Sequence, residues 1–139
     1  MPYIAIRTYS NWALFLKLLD ELEILKLSES LKKNQDFQKV YKCGKSYANK
    51  YLVMYVLKNN LEKNRIGISV SKKVGNSVVR HRLTRLIRES FRLNGDHFQK
   101  GLDIVVIAGN TAKEKKYWDI NSAVLHLGKL HKILDEKKM

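Results

Sequence analysis

The sequence predicts an α+β fold in which a single layer of mixed sheet carries the helices. Three observations point there. Ile66-Gly67-Ile68-Ser69-Val70-Ser71 alternates strictly, so Ile66, Ile68 and Val70 share one face of a strand and Gly67, Ser69 and Ser71 the other. Leu102–Ala108 (LDIVVIA) is a continuous apolar run between Gly101 and Gly109, the pattern of a buried strand. Between them the chain repeats at about 100° per residue: Val79, Leu83, Leu86, Ile87 and Ser90 gather on one arc of a helix. With a helix ahead of these elements and another behind, the order is helix, two or three strands, helix, strand, helix, a sandwich built on one sheet.

The elements follow in chain order. Residues 11–27 read as an amphipathic helix separate from the rest, and Ser28–Ser30 as a break. Asn34 is placed to cap a helix running through Cys43, with Gly44 as its stop. Phe37, Val40 and Tyr41 fall at i, i+3 and i+4 and form one apolar-aromatic stripe. Tyr47–Leu57, dense in Tyr, Val and Leu, is extended, and the polar stretch Lys58–Arg65 turns the chain. Asn76 or Ser77 opens the next helix, which runs to Asn94. Ile120, Val124, Leu127, Leu130 and Leu134 then carry the spacing of a last helix packed on the sheet.

Charge narrows the function. The formal net charge is +14, and residues 30–100 hold 17 bases against 4 acids, so nearly all of the excess lies in the middle of the chain. Such a concentration implies a polyanionic partner. It is densest in KKVGNSVVRHRLTRLIRESFR, where Lys72, Lys73, Arg80, Arg82, Arg85, Arg88 and Arg92 face one acid, Glu89. Arg80, His81, Thr84, Arg85, Arg88 and Arg92 fall on the arc opposite the apolar one. One side of the helix therefore belongs to a core and the other is a row of guanidinium groups suited to phosphate. A solvated helix would interleave acids with its bases, and this one hardly does. An anionic membrane fits less well, because the helix keeps no wide apolar face for lipid.

Other classes are excluded more simply. Cys43 is the only cysteine, so no intrachain disulfide forms, and a free thiol fits the cytoplasm. No apolar run reaches the roughly 18–20 residues of a membrane span. Trp12–Leu27 is broken by charges and lacks the cleavage site of a signal peptide. His81, His97, His126 and His131 show no metal-ligand spacing, and Gly67 and Gly75 make no phosphate loop. No catalytic residue and no metal ligand is assigned: the chain reads as a binder. The small-residue face of Ile66–Ser71 leaves space above the sheet, either a ligand groove or an ordinary exposed face. For Phe37 and Tyr41 the residues alone favour core packing.

The run SLKKNQDFQKVYKCGKSYANKYLVMYVLKN (Ser30–Asn59), then NRIGISVSKKVGNSVVRHRLTRLIRESFR (Asn64–Arg92), then LDIVVIA, resembles the bacterial ribonuclease P protein family over roughly residues 30–135. The resemblance implies a four-stranded mixed sheet with three helices in the order αβββαβα, including a left-handed βαβ crossover around the arginine helix. It implies a partner, a catalytic RNA that removes the 5′ leader of precursor tRNA with Mg2+ held mainly by the RNA and none bound by the protein alone. No membrane and no protein partner is implied. Lys72, Lys73, Arg80, His81, Arg82, Arg85, Arg88 and Arg92 are then expected to bind the catalytic RNA. His81 and Thr84 depart from the family's usual asparagine and lysine. Lys32, Lys33, Phe37, Tyr41, Tyr55 and Ser69 are expected to bind the leader in a cleft between the first core helix and the sheet. Lys72 and Lys73 join Lys32 and Lys33 on its phosphate track. Aromatic rings there would stack on bases at roughly 1–3 kcal/mol per base. The alternative is a structural RNA binder of the ribosomal-protein kind, with the basic helix and no leader site. Residues 1–29 fall outside the resemblance, either as a helix of their own or as residues upstream of a start near Leu25. The expected division is thus an extension over 1–29 and an RNA-binding domain over 30–139.

Overall fold

A computed structural model of the chain describes residues 28–135; the helix expected over residues 11–27 lies outside them. The elements are β1 (Ser28–Ser30), α1 (Asn34–Cys43), β2 (Lys45–Ala48), β3 (Leu52–Lys58), β4 (Asn64–Val70), α2 (Ser77–Asn94), β5 (Leu102–Ala108) and α3 (Tyr117–Leu130). The described residues thus hold a mixed sheet and three helices, as expected, but the sheet has five strands in the order β1-β4-β5-β3-β2. β5 lies parallel to β4 and antiparallel to β3, and β4 reaches β5 through α2.

The fifth strand is the segment expected as a break. Ser28–Ser30 lies parallel to β4, with Glu29 opposite Arg65, and the pairing carries on through Leu31 N–H to the Ile66 carbonyl at 2.9 Å. A Lys63–Glu29 ion pair fastens it. Three polar residues carry no strand pattern of their own; β4's open edge supplies the pairing. The extended stretch Tyr47–Leu57 is two strands, because Asn49 folds the chain back. Its side-chain oxygen accepts from the Tyr51 and Leu52 amides at 3.2 and 3.0 Å.

Two layers flank the sheet. On one side Leu52, Met54, Ile104 and Val106 meet Leu83, Ile87 and Phe91 of α2 and Ile120, Val124 and Leu127 of α3. On the other, Val105 packs with Leu31 and with Val40 of α1, bordered by Phe37, Tyr41, Tyr55 and Ile107. β5 is covered on both sides, which explains its unbroken apolar run. Its one acid, Asp103, is buried because Arg65 stands directly opposite in β4. Arg65 Nε and Nη2 donate to the carboxylate at 2.8 and 2.6 Å, and the Asn59 amide adds a bond at 2.9 Å.

Helix ends differ from expectation in two places. Lys33, not Asn34, is the N-cap of α1, and it makes no side-chain cap bond. Asp36 in the first turn favours that positive end and also lies 3.6 Å from Arg65. Gly44 does end α1, but with extended backbone (φ −81°). Its lack of a side chain matters because a Cβ there would sit 2.5 Å from the Val40 carbonyl oxygen. α3 stops at Leu130, short of Leu134. Lys132 turns left-handed (φ 60°), its N–H bonds Lys129 O at 3.0 Å, and Ile133 N–H bonds Gly128 O at 3.1 Å. This double closure returns Leu134 to pair with Phe98.

Candidate nucleic-acid interface

The arginine ridge is built on α2. Asn76, one of the two expected caps, accepts from the Val79 amide at 3.0 Å and sets the helix start. Leu83, Ile87, Ser90 and Phe91 are buried, so the helix cannot roll, and the opposite arc is fixed toward solvent. His81, Arg85, Arg88 and Arg92 are exposed there. Not all of the expected residues are equivalent. Arg80 is half-buried and donates from Nε to the Gly75 carbonyl at 3.3 Å, while Thr84 Oγ1 bonds the Arg80 carbonyl at 2.9 Å. Arg92 is held against Glu89, its Nε 2.8 Å from the carboxylate. Arg82 points away from that arc and donates to the Lys115 carbonyl at 2.9 Å, just before α3. Arg85 and Arg88 form the open centre of the ridge.

Lys72 and Lys73 stand exposed in the turn between β4 and α2, and Lys32 and Lys33 are exposed ahead of α1.

The cleft lies on the other side of the sheet. Phe37 and Tyr41, one helical turn apart on α1, have ring centroids 6.4 Å apart; Tyr41 meets Tyr55 of β3 edge-on at 5.1 Å. All three rings are half-buried, neither sealed in a core nor lying free on the surface. The small-residue face is neither wholly open nor wholly exposed, because α1 covers its first position. At Gly67 the space is filled by Phe37: a Cβ there would meet Phe37 Cζ at 2.7 Å and Leu31 Cβ at 3.2 Å. At Ser69 the side chain hydrogen-bonds Tyr41, and beyond it Ser71 is open to solvent. Burial pushes the Tyr41 hydroxyl above its ordinary pKa, against the Ser69 hydrogen bond and with help from Tyr55. The hydroxyl therefore stays neutral and able to donate. Phe37, Tyr41, Tyr55 and Ser69 are thus brought together, with Gly67 making the contact possible.

Two features escaped the sequence reading. The buried Asn64 clamps the β4–β5 ends, donating to the Gln99 carbonyl at 2.8 Å and accepting from the Leu102 amide at 2.9 Å. Trp118, off the apolar stripe of α3, is 76% exposed. Its exposure was readable from helical spacing, though not its surroundings.

A basic protein with an arginine-faced helix on one side of its sheet and a half-open aromatic cleft on the other falls in the class of RNA-binding proteins. The family model described as Ribonuclease P matches residues 25–132. The chain is 63% identical over 112 residues to a ribonuclease P protein component of Lachnoclostridium phytofermentans, covering 81% of this chain and 97% of that one. It is 54% identical over 107 residues to one from Alkaliphilus metalliredigens, covering 77% and 96%. Among solved structures, the Staphylococcus aureus RNase P protein superimposes with a TM-score of 0.70 at 42% identity, covering 75% of this chain and 95% of that one. The Thermotoga maritima protein gives 0.68 at 36% identity, covering 73% and 96%. The chain belongs to the ribonuclease P protein family. It is a protein subunit of the endoribonuclease that matures tRNA 5′ ends.

Proposed function

We propose that this subunit divides its two faces between two RNAs. The α2 ridge docks on the catalytic RNA, and the cleft between α1 and the sheet holds the 5′ leader of precursor tRNA. The RNA breaks the bond, and the Mg2+ it uses would be held mainly by that RNA. Among the described residues no group of three histidine, cysteine or acidic side chains is placed to hold a metal. The protein's own part is to bind, to orient, and to lower phosphate repulsion where the two RNAs meet. A cytoplasmic place of work is supported by the exposed free thiol of Cys43. Among the described residues no helix is long and apolar enough to cross a membrane.

The observation that carries this reading is the half-open row Phe37–Tyr41–Tyr55 over Gly67 and Ser69. Rings closed into a core could not receive bases, and rings fully in solvent would not be held in line. Stacking platforms accept any base, as a leader of variable sequence requires. Phe37→Ala combined with Tyr41→Ala is expected to weaken precursor tRNA binding by about 1–3 kcal/mol and to leave mature tRNA binding unchanged. Equal losses on both substrates would favour a structural RNA binder with no leader site.

A further inference from the structure

Beyond ridge and cleft, the described residues form a further groove that neither of them uses. A groove of about 510 Å³ runs between the β2–β3 turn and α3, walled by Asn49, Lys50, Tyr51, Asp119, Ser122 and His126. Tyr51 of this wall carries two cation contacts: Lys50 Nζ lies 5.0 Å and Lys115 Nζ 5.4 Å from its ring centroid. The groove is fixed in shape. Asn49 Nδ2 donates to the Ala123 carbonyl at 3.1 Å and lies 3.2 Å from His126 Nδ1, tying the turn to the helix. Because Nδ1 accepts that bond, the neutral His126 ring carries its proton on Nε2. Thr111 bonds the Lys50 carbonyl from the other side. Asp119 is the one acid on the wall, and its carboxylate accepts from the Lys116 backbone N–H at 3.2 Å. Lys113 and Lys116 add charge nearby.

Trp118 stands on the same exposed side of α3 as Ser122, about one turn ahead. Its indole touches Tyr117 edge-on at 5.3 Å, and Tyr117 bonds Asn121 at 3.3 Å, the residue that receives Ser90 of α2 at 2.8 Å. Through Tyr117 and Asn121 this end of α3 is tied to α2, and the Arg82–Lys115 bond ties α2 to the residue whose ammonium lies over the Tyr51 ring. An exposed indole and lysine ammonium groups on one side of the molecule match an unpaired nucleotide: the ring stacks on the base, and the ammonium groups take the phosphate.

We propose that this groove, together with Trp118 one helical turn from its Ser122 wall, holds an unpaired nucleotide of the catalytic RNA and extends the α2 footprint onto α3. The choice of the catalytic RNA rests on the ridge reading above, since groove and ridge share one side of the sheet and the leader cleft lies on the other.

The test uses the full chain with Trp12→Phe, which leaves Trp118 as the only indole. Its fluorescence is followed during titration with the cognate ribonuclease P RNA and, separately, with a single-stranded leader oligonucleotide. The catalytic RNA is expected to quench Trp118 and the leader is not. In filter binding, Trp118→Ala should weaken the RNA complex about five- to tenfold, with Trp118→Phe recovering most of the loss. Lys50→Ala with Lys115→Ala should lower the salt slope by about 1.5. Unquenched emission together with unchanged affinity in Trp118→Ala overturns the inference, and so does quenching by the leader alone. Arg85→Ala with Arg88→Ala, measured alongside, separates the two readings. Loss there without loss at the groove sinks only the groove; loss at the groove without loss there sinks only the ridge.

Discussion

The two sides of the sheet use similar residues for opposite ends. Beneath α2 and α3 the side chains are sealed: Leu83, Ile87, Ile120, Val124 and Leu127 have no solvent exposure, and all the chemistry of that side faces outward on the helices. Beneath α1 a single short helix covers the sheet, and its aromatic stripe remains half-open against Gly67, Ser69 and Tyr55. An apolar stripe at helical spacing is therefore core on one side and a binding floor on the other. What separates them is how much cover the sheet receives, which the stripe itself does not record.

The largest expected effect breaks the sealed side. Leu83→Ala removes a fully buried side chain where α2 meets the sheet and should cost about 2–5 kcal/mol of stability in urea unfolding. Phe37→Ala on the open side should cost less in the same assay, because its ring is only half-buried. Equal losses would mean that α1 closes its side as tightly as α2 and α3 close theirs, and the cleft reading would fall.

Gly67→Ala sharpens the open side. The new methyl would overlap the Phe37 ring, so the ring must move, at a cost of about 1–3 kcal/mol. Adding Phe37→Ala removes the clash. The double variant should then be more stable than the sum of the two single losses implies, by a margin a double-mutant cycle reads directly. Additive losses would show that Phe37 does not rest on Gly67.

How far the sequence foretold this contrast depends on where the information is local. The arc of α2, the cap at Asn76 and the full extent of β5 were legible, because helical period, capping chemistry and apolar runs are each written in adjacent residues. Arg65, Asn64 and Ser28–Ser30 carry only turn or break signals in their local sequence, since their roles come from partners at Asp103, Leu102 and the β4 edge. The cleft lay between these cases. Phe37 and Tyr41 could be named, and the small face of β4 could be named, but only the fold showed one lying on the other. Likewise all the arginines of α2 were visible in the sequence. That Arg80, Arg82 and Arg92 are engaged with Gly75, Lys115 and Glu89 depends on tertiary contacts and cap geometry.

That distinction sets the next expectation, which concerns the outer surface of the sealed side. Arg85→Ala with Arg88→Ala should leave unfolding unchanged within about 0.5 kcal/mol, since both are exposed. Two lost phosphate contacts should lower the slope of log affinity for the catalytic RNA against log salt by about 1.5. The same slope in wild type and variant would remove α2 from the RNA footprint.

The smallest effect probes the edge of the sealed side. His131, just past α3, is hydrogen-bonded through Nε2 to the Met54 carbonyl at 2.9 Å and packs edge-on against Tyr47 at 4.7 Å. A carbonyl only accepts, so Nε2 carries the proton of a neutral ring. Burial holds its pKa below the ordinary 6.5; the Met54 carbonyl opposes this, and nearby Lys45 adds to the depression. The unfolded chain therefore takes up a proton at a pH where the folded chain still resists it, and stability must fall as pH drops through about 6.5. His131→Gln retains an amide donor for Met54 and cannot titrate, so its stability should vary less between pH 7.5 and 5.5 than that of the wild type, as a series of urea midpoints would measure (about two pH units span one titration). A wild type that gains stability on acidification in step with its difference from His131→Gln would place the charged ring in the folded state, and the edge at Met54 and Tyr47 would then be open to water.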